Sequence, residues 1–149
     1  MSETTIIVIT IFLSVLSLLF YNLYRLKFRL EKFEKFIDMR NKLKSNDNHM
    51  KIIQLLEENN EDLKNIPLIN KYNFLGFYEE IAILVNNRLM NEEIAFYMFG
   101  YYAIKCMNAS HFWSGINQNS FYWILFNNFA SKMITFQDRF LTGPLEFKI

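Results

Sequence analysis

Glu79 and Glu80 are the charges best placed to carry chemistry, because they interrupt the otherwise apolar run FLGFYEEIAILV at 74–85. Adjacent side chains on a helix point about 100° apart, so the two carboxylates are poorly arranged as one general acid/base pair. On a helical wheel Glu80 borders a face of Phe74, Phe77, Tyr78, Ile81, Leu84 and Val85, while Glu79 lies near Leu75, Ala82 and Ile83. A buried Glu79 must be paired or neutral. Arg88, Lys105, His111 or a tyrosine hydroxyl could be its partner, which predicts a structural contact. Glu79→Gln is then expected to alter stability more than any biochemical output.

The other candidates are thinner. Cys106 and His111 can be drawn as nucleophile and base, but Cys106 falls in an apolar run where a free cysteine is an ordinary core residue. Metal binding needs clustered ligands, such as Glu-x-x-His on a helix. His49 and His111 stand apart, and Glu92-Glu93 reads as the first turn of a helix. His49, beside a polar hinge, is expected to be solvated. No glycine-rich phosphate loop occurs. Neither metal nor cofactor is implied, and the chain reads as non-enzymatic. The aromatic set Tyr97, Tyr101, Tyr102, Phe112, Trp113, Tyr122 and Trp123 reads as core, or as a pocket or partner groove with polar tips at its mouth. The candidate ligand- or partner-binding residues are therefore Glu79, Tyr101, Tyr102, His111 and Trp113.

What must position these residues begins with Thr4–Tyr24, 21 residues without a charge in a chain of 149. As a helix this run reaches about 31 Å, roughly the hydrocarbon thickness of a bilayer. A cleaved signal peptide would need a basic start and a small-x-small site, and neither is present. Arg25, Lys27, Arg29, Lys32 and Lys35 follow the run, whereas Glu3 precedes it. The positive-inside rule then places the N-terminus outside and the rest in the cytoplasm, and the chain reads as a single-pass inner-membrane protein. Residues 25–44 hold eight Lys/Arg against three acids, a net of +5, which suits anionic headgroups. From Ser45 onward eight bases face eleven acids, which argues against a nucleic-acid surface.

Leu23, Leu26, Leu30, Phe33 and Ile37 continue the helix as an a/d stripe, a stalk over 25–44 that could pair with a second copy. Beyond a hinge at 45–48, helices are predicted at about 49–58, 71–87 (capped by Asn70), 92–107 (capped by Asn91, with Gly100 allowing a close approach) and 121–140. The last shows Tyr122, Leu125, Phe126, Phe129, Met133 and Phe136 at helical spacing, and 142–149 reads as a tail. The fold class is all-α: a transmembrane helix at 4–24, the stalk, and a cytoplasmic bundle of about four helices over 45–141.

The run 74–85, then Leu89-Met90-Asn91-Glu92-Glu93, then Phe99-Gly100-Tyr101-Tyr102, resembles a bacterial family of unknown function. Its members are short helical proteins, often with one N-terminal membrane helix. The resemblance spans roughly residues 50–136 and implies a topology but no activity. That family usually has Asn where this chain has Gly76, and Gly in the turn where it has Arg88. The expectation is thus a membrane-anchored interaction domain that binds another protein. The alternative is a tethered sensor that takes a small apolar ligand or lipid in an aromatic pocket.

Overall fold

The computed structural model describes residues 2–142, with side chains through Arg139. Among the described residues every regular element is helical: α1 (Glu3–Ser45), α2 (Asp47–Glu57), α3 (Leu68–Asn86), α4 (Glu92–Ala95), α5 (Tyr101–Asn108) and α6 (Ile124–Thr142). Single turns of 3-10 helix at Glu61–Asn65 and Phe121–Trp123 and a π-helical turn at Phe96–Gly100 complete them. The chain divides into two units at Glu34/Lys35. The tail expected over 142–149 lies, from Gly143 on, outside the described residues.

The first unit is the N-terminal part of α1. None of its most apolar 18-residue stretch is buried against protein. Thr10, Ser14 and Ser17, the hydroxyls inside that stretch, donate to the carbonyls of Ile6, Thr10 and Ser14 at 2.8–2.9 Å. Each of these three hydroxyls is thus satisfied within the helix itself. Leu23, Leu26, Leu30 and Phe33 are exposed.

The second unit begins within the residues expected to be stalk. Met39 and Leu43 of α1 are buried in it, and Lys42 pairs with Glu80 at 2.5 Å. Its centre is α6 packed against α3 and α5. Phe74, Phe77, Tyr78, Ile81 and Val85 recur at i, i+3, i+4, i+7 and i+11, and Leu75 and Ala82 bury a second side, so α3 is covered from two directions. Across from it, α6 contributes Phe126, Phe129, Ala130, Met133 and Phe136. The Tyr78 ring meets Phe126 at 5.9 Å edge-on and Phe129 at 6.2 Å. Burying each such ring stabilises the fold by about 1.5–3 kcal/mol.

Several boundaries follow local chemistry. Asn46 and Asn91 cap α2 and α4, each accepting two backbone amides. Asn70 was expected to cap α3, but the helix starts a turn earlier at Pro67, whose fixed φ suits a helix start, and Asn70 instead donates to Asn48 at 3.1 Å. α2 ends with Asn59 at φ 49° and α3 with Arg88 at φ 59°. In the second case the amides of Arg88 and Leu89 reach back to Val85 and Leu84 at 3.0 and 2.8 Å, a Schellman closure that favours glycine at Arg88.

The run 92–108 is a rod whose winding widens at Phe96–Gly100. There Gly100 faces Met133, and a Cβ on Gly100 would come within 2.9 Å of Phe96 Cδ2 and 3.2 Å of Met133 Sδ. The expected close approach is therefore found. The rod is not apolar all round in its setting, however: Tyr97 is 69% exposed and Tyr101 50%.

Candidate ligand-binding surface

Glu79 lies on α3 two turns beyond Tyr72, so the two share one face. The loop from Ala109 returns the chain to this face. Trp113 Nε1 donates to the Cys106 carbonyl at 2.9 Å, Gln118 Nε2 to the Met107 carbonyl at 2.9 Å, and Asn127 Nδ2 to the Gln118 carbonyl at 2.8 Å. Gly115, at φ 82°, turns the loop where a side chain would press on Leu68. Ser120 then accepts the Tyr122 amide and starts the Phe121–Trp123 turn. These contacts border an open cavity of ≈ 490 Å³ lined by Tyr72, Glu79, Gly115, Ile116, Asn117, Ser120, Tyr122 and Trp123. Tyr72 and Trp123 stack at 5.5 Å with planes 30° apart.

Glu79 is half-buried. Loss of water pushes its carboxyl above the usual range, opposed by a hydrogen bond from the Phe126 backbone amide. Neither Arg88, Lys105 nor His111 pairs with it. The described ion pairs are Lys27–Glu31, Lys42–Glu80, Lys64–Glu61 and Lys132–Glu92, and none reaches Glu79. Lys105 instead donates to the Glu57 carbonyl at 3.2 Å.

The remaining sequence candidates are dispersed. Tyr102 donates to Glu57 Oε1 at 2.6 Å, and this bond to the carboxylate, with burial, pushes its phenol up to about 12. It lines a second groove of ≈ 440 Å³ with Met50, Ile53 and Gln54. Tyr101 packs edge-on against it at 5.1 Å. Trp113 is core, against Phe112 and Phe126. His111 is half-buried in the loop. Tyr122, expected on the core face of the last helix, is instead 80% exposed, because the tight turn at Phe121–Trp123 lifts it off the helical register. Sequence reasoning passed over Tyr72. Its i, i+7 spacing to Glu79 was the available signal.

On α1, Lys27 pairs with Glu31 at 3.8 Å, while the Arg25 guanidinium lies 5.8 Å from the Tyr21 ring and the Lys32 ammonium 4.5 Å from Phe28. Arg29 and Lys35 are exposed.

Several polar groups are buried in the interior. His49, expected to be solvated, is 2% exposed: it shares the inward face of α2 with Ile52, Ile53 and Leu56 and packs on Phe74 and Phe77 at 5.5 and 5.4 Å. Neither ring nitrogen has a hydrogen-bond partner, nor does the Tyr78 hydroxyl. Lys71 is fully buried, donates to the Ser114 carbonyl at 3.1 Å, and burial lowers its pKa. Burial pushes the Cys106 thiol well up, so it stays protonated and unreactive. Among the described residues no three His, Cys, Asp or Glu gather as metal ligands. No family model, no curated protein and no solved structure matches the chain.

Proposed function

We propose that the protein is a membrane-tethered, non-enzymatic interaction module. The N-terminal half of α1 crosses the inner membrane with its N-terminus outside. Arg25, Lys27, Arg29, Lys32 and Lys35 sit against anionic headgroups, and the helical unit in the cytoplasm docks another protein. The observation that carries this is the bare apolar stretch of α1, with its Thr10, Ser14 and Ser17 hydroxyls satisfied by its own backbone. An apolar surface of that size exposed to water would drive aggregation. The docking face is the mouth of the cavity, where Phe121 is 82% exposed beside Tyr122, with Leu68 and Ile69 also outward.

Alkaline extraction of membranes tests the tether: the protein is expected in the pellet, and recovery in the supernatant would refute the reading. Cys106 is buried, so single cysteines report topology without background. Ser2→Cys should react with an impermeant maleimide in intact spheroplasts and Asn108→Cys should not. The cavity's volume and the three aromatic side chains in its wall favour a second reading, a tethered sensor for a small apolar ligand. Saturable 1,8-ANS binding to the folded protein, lost on Trp123→Ala, would support it.

A further inference from the structure

We infer that the cavity between α3 and the Phe121–Trp123 turn receives the guanidinium of an arginine carried by the docked protein, with Glu79 as its counter-ion. This rests on the docking reading and names the chemistry of the partner. Glu79 is a half-buried carboxylate on the cavity wall, and among the described residues no cation pairs with it, although Lys42, Lys64 and Lys132 of the same unit pair with other carboxylates. An anionic ligand would be repelled. A neutral apolar ligand would strip remaining water from the carboxylate and return nothing for it. A metal ion would find a single carboxylate among aromatic rings.

A cation meets a matched site. Tyr72, Tyr122 and Trp123 line the cavity together with the carboxylate, Tyr72 and Trp123 stacked on one another, and aromatic rings attract cations. Among cations the guanidinium fits best. It is planar, weakly hydrated and able to stack on a Tyr or Trp ring while forking two N–H groups onto one carboxylate. The Ser120 hydroxyl and the Asn117 side chain add polar edges for its remaining donors. A quaternary ammonium has no donors and would leave these groups unused. A protein rather than free arginine is indicated by the rim, because free arginine would leave the outward rings of Phe121 and Tyr122 uncovered. The excess of acids over bases from Ser45 onward also complements a basic partner.

The test uses the full-length protein in nanodiscs, with Trp123 fluorescence as the reporter and Trp123→Phe as the control for Trp113. N-acetyl-arginine amide should give a saturable change, N-acetyl-lysine amide a weaker one, and N-acetyl-citrulline amide none. Glu79→Gln should weaken arginine binding about tenfold. Tyr122→Ala, at an exposed position that cannot unfold the core, should weaken it too. Equal response to citrulline, no effect of Glu79→Gln, or tighter binding of tetramethylammonium would each overturn the assignment. A photo-crosslinker at Phe121 in cells separates the two readings. A protein adduct lost with Glu79→Gln supports both. An adduct indifferent to Glu79→Gln refutes the arginine and leaves docking standing. Arginine binding without any protein adduct refutes the protein source.

Discussion

Replacing His49 with leucine should flatten the acid side of the stability profile. The imidazole is 2% exposed, wedged between Phe74 and Phe77, with both nitrogens unpaired. Burial, and then the nearby Lys42 charge, lower its pKa below 6.5; the Asn73 backbone carbonyl, close to the ring but short of a formed hydrogen bond, and the Glu80 charge oppose this only in part. Between the folded pKa and 6.5 the unfolded chain binds more protons than the native one, so stability rises with pH across that window and is lost as pH falls below 6.5. If the ring stayed neutral in the fold down to pH 5, the loss would reach about 2 kcal/mol at 1.36 kcal/mol per pH unit, which is an upper bound. At neutral pH leucine removes two unpaired polar atoms, worth about 1–3 kcal/mol, but gives up ring contacts worth about 0.5–1.5 each, so a change within about 1 kcal/mol is expected. Urea unfolding of full-length wild type and His49→Leu in micelles, followed by circular dichroism from pH 8 to pH 5, isolates the effect because every other titrating group is shared. Parallel profiles would refute the reasoning.

Four further substitutions probe other features, each read by thermal or urea unfolding. Arg88→Gly should stabilise by about 1 kcal/mol, since φ 59° is strained for arginine and free for glycine. Gly76→Ala should gain a similar amount, because nothing lies within 4 Å of the added Cβ in mid-helix. Gly100→Ala should cost about 1–3 kcal/mol by pushing on Phe96 and Met133. Glu79→Gln should raise the melting temperature at pH 7 and leave it little changed at pH 4. The native carboxyl holds its proton to higher pH than the unfolded one, so wild-type stability falls as pH rises from 4.5 through the folded pKa. A lower melting temperature at pH 7 would show that Glu79 is a structural contact after all.

The helical pattern was legible because the second unit obeys simple periodicity. Phe74 to Ile81 and Phe126 to Phe136 bury themselves at three- and four-residue spacing, and Asn91 announces its cap by the two glutamates after it. Errors cluster where periodicity stops being informative. Tyr122 keeps the phase of Phe126 in the sequence, yet it precedes α6 and nothing covers it. His49 looks solvated from its polar neighbours, but Ile52, Ile53 and Leu56 on the same face decide its side. Asn70 is the better cap by residue type, and Pro67 outweighs it through backbone geometry alone. The cavity was half visible: Glu79 stood out as a charge in an apolar helix, whereas its walls come from a loop and a tight turn 36–44 residues away, which no local pattern connects.

The widened turn at Phe96–Gly100 bears on how this chain can change length. A π turn accommodates one more residue than ordinary winding while the helices on either side keep their phase. Losing one amino acid there, Met98 for instance, would tighten the coil yet still leave Ala103 and Cys106 pointing inward. The same loss a few positions later would roll the rest of the rod by about 100° and turn Cys106 out. Single-residue deletions tiled along 92–108 should therefore be tolerated in one short window and nowhere else.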